Sequence, residues 1–208
     1  MENFEICQLE RFQISAASEV AAKAFEDDPV FAYLTPDDRE LKFRALTWLT
    51  NRAIAYCAQH EYVYTTSNLQ GIAAWLPPGE FSSNPLQLLQ MVLQLQLYTL
   101  PSQVGWNRLG RWLRGLATIE AVHKKDMGNL PHWNLGIMVV HPAVQGKGLG
   151  SQLLRPILQR ASDDGLPCHV VTFTEQAVCF YQKNGFKVAH NQKLESNGPQ
   201  FWTLKRDP

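Results

Sequence analysis

The chain has no excess of charge of either sign: 19 lysines and arginines balance 19 aspartates and glutamates among its 208 residues. That balance removes the long-range field that draws a protein onto nucleic acid or an anionic membrane, so neither is expected as a partner. A membrane span is missing as well. The most apolar stretch, Leu86 to Leu100, is interrupted by Gln87, Gln90, Gln94 and Gln96, well short of the roughly 20 apolar residues that a crossing needs. It reads as an amphipathic helix instead. The opening MENFEICQLERF carries acids and no continuous apolar run of the secretory kind, so a cytoplasmic location is expected.

Metal-ligand spacing is also missing. The four cysteines, Cys7, Cys57, Cys168 and Cys179, form no C-x-x-C pair, and the six histidines form no H-x-x-x-H. Neither a metal nor a disulfide framework is expected, and the cysteines read as small buried hydrophobes in a reducing compartment. No internal repeat or low-complexity linker divides the chain, so residues 1–208 read as one domain.

What is present is an alternation of strand-like and helix-like segments. Phe4 to Leu9 reads as a short strand, and Ile14 to Phe25 as a helix that EDDPV breaks. Apolar residues at Leu41, Leu46, Leu49, Ala53 and Tyr56 recur at helical spacing from Asp37 to His60. EYVYTT and LQGIAAWLP read as a hairpin turning at Ser67-Asn68. A helical insertion follows from about Glu80 to Gly128, broken at Pro101. HWNLGIMVV, His132 to Val140, is apolar enough for a strand covered on both faces.

After it come a glycine-rich turn, a helix to about Asp164 that contains Pro156, the strand PCHVVTF, and a short helix ending at Gly185. FKVAHNQKL and PQFWTLKR close the chain as a hairpin across SNGP. The order strand, helix, strand around the turn requires a crossover, so those two strands should be parallel neighbours in a mixed α/β sheet.

The turn itself is VQGKGLGSQLL, with Gly146, Gly148 and Gly150 at alternate positions between an apolar strand and a helix. A helix N-terminus offers unpaired N–H groups and a partial positive charge, and glycines let the backbone approach an anion closely. The stretch therefore looks built to hold a phosphate. It is not a P-loop, because Lys147 is followed by Gly148 and the earlier glycine is replaced by His141 or Pro142, depending on register. Nor is it a dinucleotide fingerprint, because G-K-G-L-G has the last spacing wrong.

Gln145, Gly148 and Gly150 do match Q-x-x-G-x-G, and about thirty residues later CFYQKNGF, Cys179 to Phe186, matches F-Y-x-x-x-G-F. In this order and spacing the two stretches resemble the signatures of the GNAT superfamily of acyl-CoA-dependent N-acetyltransferases, over the last ~75 residues. The resemblance implies a mostly antiparallel sheet of six to seven strands flanked by helices, with acetyl-CoA as cosubstrate bound by a core of about 132–190. Backbone groups of Met138, Val139 and Val140 would take the pantetheine arm. Gln145, Gly146, Lys147, Gly148, Leu149 and Gly150, with Ser151, would hold the pyrophosphate. Ala177 fits the family pattern at the head of the following helix, whereas Thr174 stands where many members have asparagine.

Tyr181 is the side chain that the resemblance marks as the acid for the departing thiolate, a task that suits a phenol with an ordinary pKa of about 10. The acceptor would be a primary amine of a small molecule, attacked without an acyl-enzyme, since no cysteine has a nucleophile's setting. Asp28, beside Asp27, is a candidate for drawing in a cationic amine. Glu120, His123 and His132, with Glu175 more remote, are candidate bases that the sequence leaves open. The insertion would form either one wall of the acceptor pocket or a homodimer surface. A non-catalytic acyl-CoA-binding sensor is the alternative reading, motivated by Thr174 and the want of an obvious base.

Overall fold

Seven strands form one sheet in the computed structural model, which describes residues 3–80 and 85–208. They are Ile6–Gln8 (β1), Val63–Thr66 (β2), Gly71–Leu76 (β3), Trp133–Val140 (β4), Cys168–Thr172 (β5), Lys187–Lys193 (β6) and Gln200–Arg206 (β7). Their order across the sheet is β1-β2-β3-β4-β5-β7-β6. Every neighbouring pair is antiparallel except β4 and β5. The parallel pair is joined by a helical crossover, as the sequence predicts.

Eight α-helices accompany the sheet among the described residues: Ile14–Ala24 (α1), Pro29–Leu34 (α2), Arg39–Ala58 (α3), Pro85–Gln94 (α4), Leu100–Val104 (α5), Trp106–Met127 (α6), Leu149–Asp163 (α7) and Glu175–Lys183 (α8). Helices are interrupted at both prolines expected to break them, and each proline also begins the next helix. Pro29 opens α2 behind the cap Asp28, and Pro101 lies in the first turn of α5. A proline in the first turn surrenders an N–H that has no intrahelical acceptor and presets the helical φ. Pro156, by contrast, lies inside α7.

Both faces of the sheet are covered. Along β3, Ala73 and Trp75 join the core under α7 and α8, while Ile72, Ala74 and Leu76 join the core under α1 and α3. Leu153, Leu154 and Ile157 of α7 are fully buried, each contributing about 1.5–3 kcal/mol of apolar burial.

β4 departs from simple alternation. Trp133 and Leu135 face the α7 side, yet Ile137 and Val139, in the same odd series, face the α1–α3 side. The reason is a bulge: Trp75 pairs with Leu135 and Ala74 with Ile137, so Gly136 is an extra residue in β4 and every side chain after it changes face.

Candidate functional site

The bulge sits where the sheet opens. β4 pairs with β5 only over Trp133–Leu135 and Cys168–Val170, whereas β5 stays paired with β7 along its whole length. From Gly136 onward β4 has no strand paired on its β5 side among the described residues. The parting strands enclose a cavity of about 530 Å³ lined by both of them, by Phe25, Asp27 and Asp28 from the α1–α2 connection, by Phe31 of α2, and by Thr50 and Ala53 of α3. A second cavity of about 400 Å³ lies between the glycine loop and α8. The two share Met138, Val139, Val140, Gln145, Thr174, Gln176, Ala177 and Tyr181, so they form one continuous cleft.

The glycine loop is shaped for close approach. Gly146 has φ 77° and Gly148 φ 93°, left-handed values that favour glycine. Gly148 caps α7, whose backbone bonding starts with Gln152 N–H donating to the Gly148 carbonyl at 3.2 Å. The preceding N–H groups of the first turn therefore lack intrahelical acceptors, the arrangement that binds anions. Gly150 serves packing: a Cβ there would lie 2.9 Å from the Phe180 ring. Gln145 Nε2 donates to the Val140 carbonyl at 3.0 Å and ties the loop to the end of β4.

Every residue predicted to bind the cofactor lines the second cavity except Lys147, which is exposed outside the lining. Thr174 caps α8, its Oγ1 accepting from Ala177 N–H at 3.3 Å, and it faces both cavities. Its hydroxyl proton is left to donate elsewhere.

Tyr181 is 5% exposed, packed between Phe180 and Phe186 at ring separations of 5.1 and 5.6 Å. Burial pushes its phenol well above the ordinary value, so the hydroxyl stays protonated across the neutral range. It is the one titratable group among the described residues that lines both cavities.

The predicted acceptor residues divide. Asp28 lines the first cavity while capping α2: its Oδ1 accepts from Val30 and Phe31 N–H at 2.9 and 3.3 Å. Burial raises its carboxyl, against the opposing pull of those two bonds and of Lys42. Glu120 and His132 line neither cavity. His132 instead lies at the opposite end of β4, where its Nε2 meets His123 Nε2 at 2.9 Å. Both rings belong to a buried network with His169, Asn134 and Asp126. Phe25, Phe31, Phe173 and Gln176 line the cleft without having been singled out from sequence. Tertiary folding alone brings the three phenylalanines together.

Comparison with known proteins agrees with this geometry. A family model described as an acetyltransferase (GNAT) domain matches residues 110–188, from within α6 through the glycine loop and α8. An uncharacterized N-acetyltransferase of Schizosaccharomyces pombe is 25% identical over 86% of this chain and 75% of its own length. A probable serine/threonine-protein kinase of Dictyostelium discoideum is 24% identical over 90% of this chain, which spans only 21% of that larger protein.

Among solved structures, an agmatine N-acetyltransferase superposes with a TM-score of 0.70 over the full length of both chains at 13% identity. A polyamine N-acetyltransferase of Drosophila melanogaster gives 0.63 over 99% of this chain and all of its own, also at 13% identity. These two show that the chain has the fold of GNAT acetyltransferases, and residues 110–188 match that family's domain model.

Proposed function

We propose that the chain is an N-acetyltransferase that moves the acetyl group of acetyl-CoA directly onto a primary amine of a small molecule. The position of Tyr181 where the two cavities meet carries this reading. The second cavity has the donor set acetyl-CoA requires: free N–H groups at the head of α7 for the pyrophosphate, and the open edge of β4 for the amides of the pantetheine arm. The first cavity receives the amine, and the neighbours named for agmatine and polyamine acetylation support an amine acceptor.

Asp28 draws and orients the ammonium group. The proton that the amine sheds before attack passes to Asp28 or to water in the open cavity. Tyr181 donates to the sulfur as the thioester breaks, so CoA leaves as the thiol. Among the described residues no cysteine lines either cavity, which favours direct transfer over an acyl-enzyme. The reading carries with it a cytoplasmic location and no resident metal.

Titration calorimetry with acetyl-CoA, followed by thiol-release assays over a panel of amines, tests it. Binding with turnover of an amine is expected. Binding without turnover of any amine would favour an acyl-CoA-binding sensor, and no binding would reject the assignment of the glycine loop.

The loop has its own test. Gly148→Ala places a Cβ at φ 93°, a strain of about 1–2 kcal/mol, and should weaken acetyl-CoA about tenfold if that strain falls on the bound conformation. An unchanged Kd would mean that the turn does not shape the anion site.

A further inference from the structure

We infer that the first cavity selects an amine carrying no carboxylate, a primary ammonium on an apolar or aromatic body, over the corresponding α-amino acid. This deepens the transferase reading and rests on it. Among the described residues the lining contains Asp27 and Asp28 and no lysine, arginine or histidine. Lys42 on α3 acts electrostatically on Asp28 but lies outside the lining. A substrate carboxylate entering the cavity would lose its water beside two like charges, with no cation lining the wall to receive it. An ammonium meets the opposite situation.

Two further features favour an ammonium on an apolar body. Phe25, Phe31 and Phe173 form a continuous aromatic wall, with ring separations of 4.9 Å between the first two and 5.8 Å between the last two. Ring faces attract a cation and also bury an apolar or aromatic substituent. The capping bonds of Asp28 both go to Oδ1. Among the described residues Oδ2 accepts no hydrogen bond, which leaves it for the substrate.

The experiment compares matched pairs that differ by the carboxylate: phenethylamine with phenylalanine, tyramine with tyrosine, isoamylamine with leucine. With acetyl-CoA saturating, the amine of at least one pair is expected to exceed its amino acid in kcat/KM by about 100-fold or more. Asparagine caps helices as well as aspartate does, so Asp28→Asn removes the charge while keeping α2 in place. It should raise the amine KM about tenfold and leave the acetyl-CoA Kd unchanged.

Equal or better use of the amino acids, or an unchanged amine KM in Asp28→Asn, would overturn the inference while leaving the transferase reading intact. Absence of acetyl-CoA binding would instead reject that reading. Direct titration of the same pairs into the protein would then decide the cavity's preference.

Discussion

Tyr181→Phe is expected to lower kcat for amine acetylation by about 100-fold or more, the usual size of a general-acid contribution, while leaving acetyl-CoA affinity nearly unchanged. The substitution removes one oxygen and keeps the ring that packs against Phe180 and Phe186. Its effect on folding should therefore be small, and the unfolding midpoint of the variant checks this. Because burial pushes the phenol upward, wild-type kcat should not lose activity through Tyr181 ionisation anywhere between pH 6 and its ordinary value of about 10. An unchanged kcat in the variant would reject Tyr181 as the acid. A large loss of acetyl-CoA binding would make it a cofactor contact instead.

That Tyr181 could be named from sequence at all reflects how local its motif is. The glycine loop and the F-Y-x-x-x-G-F stretch each fit within one strand–helix or helix–strand junction, so spacing along the chain determines their geometry. Three strand pairings were legible for a similar reason: a helix between two apolar strands forces a parallel crossover, and a short turn forces a hairpin. The seven-stranded sheet observed follows both expectations.

What escaped the sequence depends on a single added residue or on contacts across the fold. A strict period of two would put Ile137 and Val139 on the same face as Leu135, and the bulge at Gly136 reverses them. A lone glycine inside an apolar strand was the available signal. EDDPV does separate α1 from α2, but that Asp28-Pro29 is also the start signal of the second helix was not drawn from the sequence. The cap is what orients the Asp28 carboxylate within the lining of the first cavity. His123 and His132 lie nine residues apart with nothing in their spacing to indicate contact. The return of α6 onto β4 brings them together, away from the cleft, where neither can serve as its base.

Replacing Asp126 by alanine should destabilise the protein by about 1–3 kcal/mol, the loss expected when buried hydrogen-bond donors are left without their acceptor. Its side chain is 1% exposed and accepts from His169 Nε2, itself fully buried, at 3.2 Å and from the half-exposed His190 Nδ1. Burial would raise this carboxyl, but its hydrogen bonds, that of His169 foremost, outweigh it and hold the group below its ordinary value. The contribution is thus present above the unfolded pKa of about 3.9 and lost as pH falls through the lower folded value.

The neighbouring histidines act at milder acidity. Burial, with His169 and His132 adding to it, pushes His123 down from 6.5 to about 3, and burial likewise lowers His132. Stability is therefore highest above about pH 6.5 and, for His123, falls from there towards pH 3 as the unfolded chain takes up a proton that the folded ring refuses, with His132 acting in the same direction. For His123 alone the loss between pH 7 and pH 5 is about 2 kcal/mol.

Urea unfolding at the two pH values measures this loss. His123→Gln keeps an N–H donor for His132 while removing the titration, so it should flatten the dependence. A loss under about 1 kcal/mol in Asp126→Ala would mean that water replaces the carboxylate. The consequence reaches the active cleft, because Asn134 and His169 adjoin Leu135 and Val170, where the two strands begin to part. Asp126 fastens α6 to the closed end of that wedge, and its removal should loosen the apex on which the cleft is built.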